Sequence, residues 1–128
     1  MSVNHQVHSK FKLFSGTLGP GASLGALATE VEAFAKTAKA APKSNGVEYL
    51  EHDKQVIVSL GYRDDEASYP IKLRAVSLGK VKSFKGDELT QLEKKMGDAA
   101  AKIAGIICHE LLVTDDHEFV MVFMSHAG

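Results

Sequence analysis

The chain has 128 residues, 45% hydrophobic and 24% charged, which fits one ordinary domain able to bury a core without disulfides or a structural metal. With 15 Lys and Arg against 16 Asp and Glu, its formal charge is −1, and the lack of a basic excess argues against a nucleic-acid module. A single cysteine, Cys108, excludes an intramolecular disulfide framework, no apolar run approaches the roughly 20 residues of a membrane helix, and Met1 to His8 lack the apolar stretch of a signal peptide, so a cytoplasmic protein with no membrane partner is expected.

Lys10 to Phe14 alternates well enough for a strand. Gly16 to Ser23 follows as a loop with Gly-Pro and Pro-Gly turn signals, and Ser23 is placed to cap a helix. That helix is predicted from Leu24 to about Ala41, with Leu24, Leu27, Val31 and Phe34 on its apolar face, and Pro42 with Ser44-Asn45-Gly46 ends it. Val47 to Leu50 and Gln55 to Leu60 read as a hairpin that turns at Glu51 to Lys54. After the acidic run Asp64-Asp65-Glu66 the plan restarts. Ile71 to Val76 is a strand, Gly79 to Gly86 a loop, and Asp87 the cap of a helix from Glu88 to about Ala104. The apolar face of this helix is Leu89, Leu92, Met96, Ala99 and Ile103, and Gly105 stops it. Ile106 to Val113 and Glu118 to Ser125 are the last two strands, joined by a turn at Thr114 to Asp116.

The same element order therefore occurs twice, over roughly 8–63 and 69–126. Lys12-Leu13 and Leu18-Gly19 recur as Lys72-Leu73 and Leu78-Gly79, at an offset of 60 both times. Two tandem β-α-β-β units predict an α+β fold: one domain over 1–128, with a six-stranded, mainly antiparallel sheet and both helices on one face, since each β-α-β piece crosses over right-handedly. The last strand strains that picture. Phe119 to Met124 is apolar at every position, whereas a strand covered on one face alternates. A second copy of the chain, a dimer above other assemblies, is the expected cover. The alternative is a central strand shielded by the long side chains of Lys12, Lys72 and Arg74.

Four constellations bear on chemistry. Gly19 to Gly25, with Gly21 and Ser23, sits between a strand and a helix start, where backbone N–H groups attract anions. It matches neither the dinucleotide nor the P-loop spacing, and a plain β-α connection explains it as well. Cys108-His109-Glu110 opens like a zinc-protease motif, but Val113 stands where the second His is required, and a strand sends Cys108 and His109 to opposite faces. The turns Glu51-His52-Asp53 and Asp115-Asp116-His117 each pair an imidazole with carboxylates, yet turns favour such residues anyway, and no metal is assigned. Lys72, Arg74, Lys80, Lys82 and Lys85 form a basic stretch with no acid inside it, suited to an anion or merely to solvation. Only Phe84 lies among them, so stacking on single-stranded nucleic acid is not suggested.

No complete catalytic constellation emerges, and the residues leave the cofactor, like the ligand, unknown. The expected function is a homo-oligomeric, non-catalytic module that binds a ligand or protein, with Lys72, Arg74, Gly21 and Ser23 as ligand-binding candidates for a small anion. The alternative is a small cytosolic enzyme acting on an anionic small molecule, with His52, His109 or His117 as acid–base at a β-α loop or subunit interface.

Overall fold

The computed structural model describes residues 10–37, 40–50, 53–83, 85–114 and 116–127. In chain order they form β1 (Lys10–Thr17), α1 (Ala26–Thr37), β2 (Ala41–Leu50), β3 (Gln55–Arg63), β4 (Ile71–Lys80), α2 (Gly86–Ala101), β5 (Ile106–Val113) and β6 (Glu118–His126). The fold is α+β, and every ladder is antiparallel. The six strands do not make one sheet. They form two sheets of three, ordered β1-β3-β2 and β4-β6-β5. β2 packs along β5, but the two strands belong to separate sheets. At this junction the Cys108 thiol donates to Asn45 Oδ1 at 2.6 Å.

The helices do not share a face, and β6 shows why. Val120, Val122 and Met124 join the core that contains Leu24, Leu27 and Val31 from α1 and its lead-in, Val56, Val58 and Leu60 from β3, and Ile71 and Leu73 from β4. Phe119, Met121 and Phe123 point the other way and meet Leu92 of α2, together with Leu78 and Val81. Alternate residues of a strand face opposite sides, so α1 lies on the inner side, between the two sheets, and α2 on the outer side of the second. The unbroken apolar run of β6 is thus covered on both faces within one chain. Each fully buried Val or Phe there contributes roughly 1.5–3 kcal/mol.

Local boundaries differ from the periodicity in instructive ways. α1 begins at Ala26 rather than Leu24, because Ser23 exchanges two backbone hydrogen bonds with Gly19, at 2.8 and 3.3 Å, and closes a small loop around a 3-10 turn over Pro20–Ala22. Ser23 therefore does not cap the helix. α1 ends at Thr37, and β2 already starts at Ala41. Pro42 is paired with Tyr62 at the start of that strand, next to a bulge, a place where a missing N–H is tolerated. α2 starts at Gly86, so Asp87 lies inside its first turn instead of capping it. Glu88 does the work at this end, its carboxylate accepting from the backbone N–H of Lys82 and of Ser83, both at 3.0 Å. Leu89, assigned by spacing to the buried face, is 39% exposed. Among the described residues, no helix is long and apolar enough to cross a membrane.

Candidate ligand cleft between β4 and α2

β4 sends Ile71 and Leu73 into the inner core, and so turns Lys72 and Arg74 outward. α2 packs on the outer face beside them. Between β4 and α2 lies an open cavity of about 530 Å³, with Val76, Leu78, Ala99 and Ile103 as its apolar walls and Arg74, Lys95 and Lys102 as its cations. Lys95 is anchored, its Nζ donating to the Leu78 carbonyl at 3.1 Å. Asp98 is the one carboxylate among the lining residues, and it is engaged by Lys94 at 3.2 Å, one helical turn away. Arg74 and Lys102 have no ion-pair partner among the described residues. A guanidinium fork and an exposed ammonium over an apolar floor suit a carboxylate, sulfonate or phosphate attached to an apolar body.

The sequence-derived candidates do not assemble into one site. Lys72 lines a separate cleft of about 400 Å³ between α1 and β4, with Lys36 and Glu32. Gly21 (φ 68) and Ser23 are exposed, while Ala22 and Leu24 beside them are buried in the inner core, so this loop lies on the far side of β4 from Arg74. His52 lies outside the described residues. His109 is exposed on the outer face of β5, opposite Phe123. His117 is an exposed turn residue with φ 65. Six residues of extended chain separate Phe123 from His117, a span of roughly 20 Å, so the two imidazoles do not act on one atom. Glu51 and Asp115 of the His-bearing turns also lie outside the described residues. Among those described, no group of three or more His, Cys, Asp or Glu is placed to hold a metal.

Cys108 faces inward, as strand alternation predicts, and burial pushes its thiol up to about 11. A thiol held protonated at neutral pH is a poor nucleophile. The amide nitrogen of Asn45 beside it is buried with no partner among the described residues.

Lys95 and Lys102 were not singled out by sequence. The signal was present: they are seven residues apart, two helical turns, and so border the same edge of the stripe that holds Ala99 and Ile103. What the sequence does not show is which strand faces that edge. No protein-family model, curated protein or solved structure matches this chain.

Proposed function

We propose that this protein is a non-catalytic binding module whose ligand is a small anion with an apolar body, held in the cleft between β4 and α2. The observation that supports this reading is the placement of Arg74 and Lys102, two cations with no ion-pair partner among the described residues, above the apolar walls formed by Val76, Leu78, Ala99 and Ile103. Arg74 supplies paired donors to the anionic head, and Lys102 closes over it. Titration calorimetry with octanoate tests it. Saturable binding is expected for the wild type, weakened about tenfold or more in Arg74→Ala/Lys102→Ala, since a hydrogen bond to a charged group contributes about 1.5–3 kcal/mol. Equal binding by the double variant would refute the cleft.

Self-association belongs to the same reading, on a surface other than the one first expected. β6 requires no outside cover, but among the described residues no helix lies over the outer face of the β1-β3-β2 sheet, which presents Leu13 at 67% and Phe11 at 63% exposure. Scattered exposed apolar residues are ordinary, whereas two large ones on alternate positions of one strand form a patch suited to a partner. A dimer built there is expected to dissociate in Leu13→Glu, read by light scattering after size exclusion. A wild type that stays monomeric at tens of micromolar would contradict it. The matching strand orders of the two sheets support reading the chain as one domain of two similar halves, and the lone thiol supports a cytoplasmic setting.

A further inference from the structure

The cleft does not end at Lys95. That residue also lines a second cavity of about 350 Å³, farther toward the start of α2, whose walls include Lys80, Lys82, Glu88 and Leu92. The two cavities share Lys95 as a lining residue and follow one another along β4 and α2, the second reaching past the end of β4 to Val81 and Lys82, so a chain laid over Lys95 meets both. Cations mark both ends: Arg74 and Lys102 at one, Lys80 and Lys82 at the other. The carboxylates along the way are already engaged. Asp98 pairs with Lys94, and Glu88 is held by the Lys82 and Ser83 amides. Lys80 pairs with Asp116 at 3.4 Å, so at this end Lys82 is the cation with no ion-pair partner among the described residues. The acidic run that follows β3 does not offset the groove either, because Asp64 pairs with Lys10, and Asp65 and Glu66 with Arg63.

We infer that the groove takes an extended acidic peptide, about eight residues long, with carboxylates at both ends and small apolar residues between. This deepens the binding reading above and rests on it. The length follows from β4: six residues separate Arg74 from Lys80, or roughly 20 Å of extended chain. The chemistry follows from the walls. Carboxylates match the two cationic ends, and apolar side chains match Val76, Leu78 and Leu92. Among the described residues, no aromatic side chain lines either cavity, and this favours a peptide over a single-stranded nucleic acid.

The test uses fluorescence anisotropy with a labelled octapeptide, two aspartates at each end flanking leucine and alanine, beside calorimetry with octanoate. Lys80→Ala/Lys82→Ala is expected to weaken the peptide about tenfold and leave octanoate unchanged, whereas Arg74→Ala/Lys102→Ala weakens both. Unchanged peptide affinity in Lys80→Ala/Lys82→Ala, with octanoate still bound in the cleft, overturns the extended groove and spares the simpler reading. Loss of octanoate binding by the wild type itself removes both. Tighter binding of oligothymidylate than of the peptide also overturns the inference. Circular dichroism of each variant confirms that the fold is retained, and Lys80→Gln/Lys82→Gln serves as a replacement if the alanine pair does not fold.

Discussion

At the scale of single residues, charge and burial decide what each candidate can do. Arg74 stands on an outward position of β4 with no ion-pair partner among the described residues, and the carboxylate of its cleft, Asp98, is held by Lys94, whereas Lys72 shares its cleft with Glu32. Cys108 is the opposite case. Removal from water raises its thiol from 9.0 to about 11, because the thiolate is the form that burial penalises. The folded state therefore prefers the protonated thiol. Its contribution to stability is complete below pH 9.0 and is lost as the pH rises through about 11. Urea unfolding of the wild type and Cys108→Ala on either side of this window is expected to show their stability gap shift against the wild type as the pH rises. A gap independent of pH would contradict the assignment. The inward placement of Cys108 was legible in the sequence, since alternation separates it from His109. Its contact with Asn45 was not, because the two stand 63 positions apart and only the packing of β2 on β5 joins them.

At the scale of elements, β4 is an edge strand, and its free edge is guarded. The carboxylate of Glu32 on α1 accepts from the Leu73 N–H at 2.8 Å, and a bulge between Ser77 and Gly79 breaks the ladder at the other end. These features blunt a strand that would otherwise be open to pairing with another chain. They also tie α1 to the second sheet. Glu32→Ala is expected to destabilise the fold by about 1.5 kcal/mol in urea melts, near the lower end for a charged acceptor because Glu32 is only half-buried, and Glu32→Gln to recover most of this. Equal stability of Glu32→Ala and wild type would show that the bond contributes nothing. On the first sheet, Gly16 lets α1 seat closely, since a Cβ there would stand 3.0 Å from Leu27 Cβ. The elements themselves were largely legible from periodicity. The start of β2 was not: Pro42 and Ser44-Asn45-Gly46 read as helix-ending turn residues, and only pairing with β3 makes them a strand, a case of tertiary context overriding local propensity.

At the scale of the whole molecule, the arrangement follows from how β6 is covered. Its apolar run signalled burial on both faces, and that signal was sound. The source of the cover was hidden, because local sequence specifies that a helix has an apolar face but not which side of a sheet it will occupy. With α1 inside and α2 outside, one chain buries both rows of β6. The same arrangement creates the candidate site: α2 crosses the outer face next to the outward row of β4, and the space left between them brings Arg74 together with Lys95 and Lys102. Two helices on one face would have left Arg74 on a bare sheet.

The most direct measurement is a crystal structure of the protein grown with octanoate. The account expects the carboxylate within hydrogen-bonding distance of the Arg74 guanidinium and the Lys102 ammonium, with the alkyl chain lying along Val76, Leu78, Ala99 and Ile103. A crystal in which octanoate occupies another surface while this cleft is open to solvent and free of lattice contacts would contradict it.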